Sequence, residues 1–160
     1  MQKILCLILF SLVLITGCER GTSNHSPLTG NKPPGVQIKI ADQFYDTKLG
    51  TYCWSSNNMG VCVDTAGPVE HLEDVTPLKV SPEATIQFVM NYEPKPNQFS
   101  LQQYSGVNIH KKVSIENNAF TAPTQEGTYY YSYGAWWMDE ENEQVSHGDA
   151  FYHFVIEVEK

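Results

Sequence analysis

The sequence predicts an all-β protein, an immunoglobulin-like antiparallel β-sandwich of about seven strands. Apolar and polar residues alternate repeatedly along the chain, helical periodicity is nearly absent, and turn-forming residues separate the alternating segments. Successive strands with one apolar face each bury those faces when two sheets stack, so a sandwich is expected. A small open β-barrel is the alternative.

Alternation places the individual strands. Residues 36–40 and 84–92 each carry an apolar face, and the pattern recurs around 99–101 and 113–115. The only expected helix is short and runs from Pro68 to Asp74, with proline at its first position.

The most regular part is the last third of the chain. An aromatic strand, 128–137, is expected to pair with the apolar strand 150–158 through the acidic turn 138–146, giving a long hairpin. Gly127 and Tyr129 open the first strand as in a tyrosine corner, in which a tyrosine hydroxyl bonds the preceding loop.

The N-terminus predicts export and anchorage. Lys3 precedes about a dozen apolar residues, too few to cross a bilayer comfortably, and small residues then lead to Cys18. The tetrad Ile15-Thr16-Gly17-Cys18 resembles the lipobox of bacterial lipoproteins. That resemblance implies a signal peptide at 1–17 and diacylglycerol on the thiol of Cys18, at the outer face of the cell membrane.

Residues 18–35 form the lipidated cysteine and a segment rich in Gly, Ser, Thr, Asn and Pro, which we interpret as a flexible tether to a domain at 36–160. The chain carries 18 acidic and 10 basic residues. Removing the signal takes away only Lys3, so the mature chain is acidic and nucleic acid is excluded as an expected partner.

Two of the four cysteines remain for the exported domain. The signal peptide contains Cys6, and the cysteine at its end is lipidated, which leaves Cys53 and Cys62 as an even pair in an oxidising space. We expect them to form a disulfide.

The stretch Gly50-Thr51-Tyr52-Cys53-Trp54, followed by Cys62-Val63-Asp64 and Gly67-Pro68, resembles a pattern in functionally uncharacterised exported proteins of Gram-positive bacteria. The resemblance implies the compartment and the disulfide, and no activity.

Four residues are candidate ligand contacts. Trp54 is expected to cover the disulfide, and Met59 lies near the tip of the loop that the disulfide closes. Tyr130 and Trp136 share the second face of the aromatic strand, on either side of a gap at Ser132 and Gly134, where rings can stack on sugars or seat a peptide. The alternative is that these four residues only pack.

Metal binding is a weaker hypothesis. The acidic turn 139–143 lacks the ligand spacing of a calcium loop. In an extended strand, His153 lies roughly 20 Å from His147, so the two cannot share one ion. His147 and Asp149 can form half of a zinc site only if another strand, carrying His71 or His110, completes it.

Common motifs for nucleophilic, metalloprotease or phosphate-binding chemistry are missing from the sequence. We therefore predict a lipid-anchored binding or accessory module without catalytic activity or cofactor, whose partner is a protein or the cell wall. The alternatives are a small hydrolase with dispersed residues and a calcium- or zinc-binding surface lipoprotein.

Overall fold

The structure, a computed structural model, describes residues 26–57 and 59–160 and shows two stacked β-sheets. The expected signal peptide and Cys18 lie outside the described residues. Eleven strands occur within these ranges: β1 (Gln37–Ile40), β2 (Gln43–Asp46), β3 (Lys48–Ser56), β4 (Met59–Val63), β5 (Leu78–Val80), β6 (Thr85–Val89), β7 (Gln98–Gly106), β8 (Ile109–Val113), β9 (Ala119–Thr121), β10 (Gly127–Met138) and β11 (Ser146–Val158).

The small sheet has the order β2-β1-β6-β9, and the large sheet has the order β4-β3-β11-β10-β7-β8, with β5 added parallel to the end of β11. All other strand pairs are antiparallel, and the sheets do not close into a barrel. The predicted antiparallel sandwich is confirmed over the open barrel. The additional strands are mainly short ones, such as β5 and β9, whose three residues are too few to show alternation.

The long hairpin of β10 and β11 is confirmed and forms the centre of the large sheet. Its register runs from Gly127 opposite Val158 to Trp137 opposite Gly148. Tyr131, Tyr133, Ala135 and Trp137 are nearly completely buried, as the alternation predicts.

The core between the sheets is rich in stacked rings. Phe88 of the small sheet stacks on Tyr133 of the large sheet with ring centroids 3.9 Å apart, and Tyr131 stacks on Phe154 at 5.0 Å. Burial raises the pKa of both tyrosines, since a phenolate there would lose its hydration. Each buried ring stabilises the fold by roughly 1.5–3 kcal/mol.

The tyrosine corner is also observed. The Tyr129 hydroxyl donates to the backbone carbonyl of Gln125 over 3.0 Å, which holds the loop against the strand that it enters. Gly127, between them, has a φ of +146°, a conformation that side chains disfavour.

Residues 26–35 pack on the domain, which differs from the flexible tether expected there. Leu28 is 2% exposed and belongs to the core, and the Trp54 indole and the Ser56 hydroxyl both donate to the Gly30 carbonyl. The Tyr152 hydroxyl donates to the Pro34 carbonyl over 2.8 Å. The segment is held by the buried side chain of Leu28 and by hydrogen bonds that the domain donates to its backbone carbonyls. Amino-acid composition alone reveals neither of these contacts.

A single short helix, α1 (Pro68–His71), is found in the described chain, and it has proline at its first turn as predicted. It ends before the expected Asp74, because Leu72 leaves helical geometry and is buried at 2% exposure. Helix α1 lies on the outer face of the large sheet, against β7, β10 and β11. In the part of the chain described here, no helix has the length and apolar character needed to cross a membrane.

The two sheets differ in width, and this decides what remains open. Four strands cannot cover seven, so inner-face residues at both edges of the large sheet lack a facing strand. At one edge this leaves a groove beside β7 and β8, and at the other it leaves the inner face of β4 exposed.

Candidate binding sites

The inter-sheet groove has a volume of about 690 Å³. Its floor is Leu101 and Tyr133, which are fully or almost fully buried, and Phe99 stands at its side, 44% exposed and stacked on Tyr133 at 5.9 Å. Met90 and Val113 add further apolar surface. The volume lies within the range of small-molecule sites.

Besides its apolar residues and Tyr133, the groove is lined by Lys95, Ser100, Lys112, Ser114 and Asn118. Lys95 is held by the Met90 carbonyl at 2.9 Å and by Glu93 at 3.4 Å, and Asn118 donates to the Phe88 carbonyl. None of the lining residues is His, Cys, Asp or Glu. The groove therefore offers apolar contact with a few polar groups, and no carboxylate or imidazole for acid–base chemistry.

The second candidate is a surface that we call the Trp136 platform: Gln98, Ser100, Trp136, Asp149 and Phe151. Strand pairing brings these residues together on the outer face of the large sheet. The half-buried Trp136 ring meets Phe151 edge-on at 5.4 Å. Burial raises the pKa of the Asp149 carboxyl, although a hydrogen bond from the Cys53 backbone opposes this.

The predicted flat gap at Ser132 and Gly134 is not open. The Trp136 ring folds back over Gly134, so that a Cβ there would lie 2.4 Å from it, and Ser132 is 5% exposed. Tyr130, half-buried, lies further along β10 opposite Tyr104. The structure therefore does not place Tyr130 and Trp136 around one shared opening.

The predicted disulfide is present and joins β3 to β4, with Cys53 directly opposite Cys62. The expectation that Trp54 covers it is wrong, because neighbouring residues of a strand point to opposite faces. Trp54 is 2% exposed and packs edge-on against Trp137 at 4.9 Å. Met59, by contrast, is 70% exposed at the start of β4.

The weak metal candidates do not converge. The His147 imidazole contacts Asp139 over 3.0 Å, whereas Asp149 lies opposite Cys53. The Asp139 carboxylate also accepts hydrogen bonds from the backbone amides of Asn142 and Glu141. These bonds lower the pKa of Asp139 and hold its side chain in the turn. Within 26–57 and 59–160, no group of three or more His, Cys, Asp or Glu side chains is placed to hold a metal ion.

An unpredicted pair of histidines fixes helix α1 to the sheet. The Nδ1 atoms of His71 and His153 lie 3.0 Å apart, and the Lys48 ammonium donates to the His71 carbonyl. Burial, His71 and Lys48 together lower the pKa of His153 to about 4. Gly50 makes the space, since a Cβ there would lie 2.7 Å from the His153 ring.

The groove was also missed by sequence reasoning. Alternation places its apolar lining residues, such as Phe88, Leu101 and Val113, on apolar strand faces, but it does not tell whether a face meets another sheet.

Comparison of the chain with protein-family models, with curated proteins and with solved structures gave no match.

Proposed function

We propose that this protein is a non-catalytic binding module, held at the outer face of the cell membrane by a lipid on Cys18, that takes up an elongated apolar ligand in the inter-sheet groove. The observation that carries the proposal is the groove itself: about 690 Å³, apolar, and open along one edge of a rigid sandwich. A ligand there replaces water on surface that the small sheet is too narrow to cover.

The lining of the groove supports binding over hydrolysis at this site. A hydrolase needs a pocket that brings together acid and base groups. Here His153 is buried near helix α1 and Asp149 lies on the outer face, whereas the groove is lined by neither type of residue.

The test is a titration with a fluorescent fatty acid, dansyl-undecanoic acid, as the apolar probe. Val113→Trp fills the groove and should weaken probe binding at least tenfold, and Phe99→Ala removes its side wall and should weaken it less. Val107→Trp adds the same ring at a 53% exposed position beyond β7 and serves as the control. Equal binding by Val113→Trp and Val107→Trp contradicts the groove as the site.

A second candidate function rests on the Trp136 platform. A half-buried indole beside a carboxyl and side-chain amide and hydroxyl groups is suited to the apolar and polar faces of a sugar, as in a cell-wall glycan. Trp136→Ala should then reduce co-sedimentation with purified peptidoglycan, while Phe44→Ala, an exposed ring on the small sheet, should not.

Anchorage is tested separately. Labelled palmitate should enter the wild-type chain and not Cys18→Ala, and the variant should be released from membranes once its signal is removed. Membrane retention of the variant without lipid would contradict the anchor while leaving the groove titration valid.

A further inference from the structure

Strand β4 is an open edge of the large sheet, and it differs from the opposite edge. All five of its residues are exposed, and none is charged: Met59, Gly60, Val61, Cys62 and Val63. Proteins usually protect such edges with lysine, proline or a bulge, because unpaired backbone groups recruit other strands.

The opposite edge, β8, has this protection. It carries Lys111 and Lys112, and its pairing with β7 is interrupted by an irregularity between Tyr104 and Gly106. The chain thus protects one edge of the sheet and leaves the other without protection. We infer that β4 pairs with β4 of a second copy of this chain, which extends the large sheet across a two-fold symmetric dimer.

The geometry of the disulfide pair identifies the free backbone groups. The Cα atoms of Cys53 and Cys62 are 4.1 Å apart, the short spacing of a pair that exchanges no backbone hydrogen bonds. Hydrogen-bonded and non-hydrogen-bonded pairs alternate along an antiparallel ladder. Gly60, two residues before Cys62, therefore also exchanges no backbone hydrogen bonds with β3. The N–H and C=O groups of Gly60 and Cys62 therefore point away from β3, toward the open edge.

The outward-facing backbone groups of β4 match those of β4 in a second copy. In an antiparallel pairing centred on Val61, Gly60 of each copy lies opposite Cys62 of the other, so four backbone hydrogen bonds form. The small glycine leaves room beside the disulfide. On the other face Val61 meets its own counterpart, and Met59 meets Val63.

That pairing covers an exposed apolar row. Met59, Val61 and Val63 are 70%, 45% and 37% exposed in the single chain, on the side that the narrow small sheet leaves open. The absence of charge on β4 is what allows two acidic chains, each of formal charge -8 before processing, to meet at this edge. A symmetric, self-complementary contact is the commonest form of dimer.

The test is disulfide crosslinking of the full chain in intact cells. Val61→Cys places one thiol on each side of the two-fold axis, where Cα atoms are about 4.5 Å apart, and should give a covalent dimer on mild oxidation. Ile109→Cys, 67% exposed on β8, is the control and should remain at the wild-type background. No excess of dimer for Val61→Cys over Ile109→Cys overturns the proposal.

Two further variants report on the register. Met59→Cys and Val63→Cys should each fail to form dimers alone, and the double variant should form them, because only unlike positions are opposed. Gly60→Pro in the Val61→Cys background removes an outward N–H without affecting the pairing with β3 and should abolish the dimer. Mass measurement of the Cys53–Cys62 disulfide verifies that each variant has folded, and crosslinking that persists in Gly60→Pro refutes strand pairing.

Discussion

The histidine pair that joins helix α1 to the sheet predicts a loss of stability in mild acid. In the unfolded chain His153 titrates near 6.5, and in the fold its pKa is about 4. Between these values the unfolded state binds a proton that the folded state does not, so the free energy of unfolding falls as the pH falls. From pH 7 to pH 5 the expected loss is about 2 kcal/mol.

The assay is urea unfolding followed by tryptophan fluorescence at both pH values, comparing wild type with His153→Gln. The variant stays neutral throughout, so the loss between the two pH values should be smaller by about 2 kcal/mol. His110→Gln, an exposed imidazole on β8, should behave like wild type. An identical pH dependence in wild type and His153→Gln would refute a buried neutral imidazole, whatever the absolute stabilities.

Three further changes test the fold. Gly50→Ala should destabilise the protein by about 1–3 kcal/mol in urea unfolding, because its Cβ would lie 2.7 Å from the buried imidazole, whereas Gly35→Ala, with no atom within 4 Å of its Cβ, should change little. Tyr129→Phe removes the 3.0 Å hydrogen bond of the tyrosine corner and should cost about 1 kcal/mol; no change would contradict a structural role for that bond. Replacing Cys53 and Cys62 together by serine should cost about 2.5 kcal/mol from the nine-residue separation, measured against wild type with and without reductant.

Much of the fold could be predicted because apolar and polar residues alternate along strands such as β6. The β10–β11 hairpin, its inner face and the tyrosine corner each depend on residues close in sequence, such as Tyr129 and Gln125. The disulfide followed from the expected compartment and from the two cysteines, Cys53 and Cys62, that this expectation leaves for the domain. These are local or countable signals.

The candidate sites were harder to predict because they depend on how distant segments meet. The expectation for Trp54 rests on its neighbour Cys53 and that for Trp136 on strand parity, yet Trp54 faces the core and the Trp136 ring folds over a glycine. The contact between His71 and His153 spans 82 residues and required the position of a four-residue helix. The groove arises from the unequal widths of two sheets, which no single segment encodes.

The packing of residues 26–35 limits how far an anchored domain can stand from the bilayer. If the lipid is on Cys18, only the eight peptide links to Ser26 separate it from a residue that is fixed by the bond of its hydroxyl to the Ser55 carbonyl. Fully extended, those links reach roughly 28 Å, less than the span of a tether that is flexible over all of residues 18–35. Such a tether would be short and would join the domain beside the β3–β4 hairpin. With it, the domain would reach ligands within a few nanometres of the membrane surface.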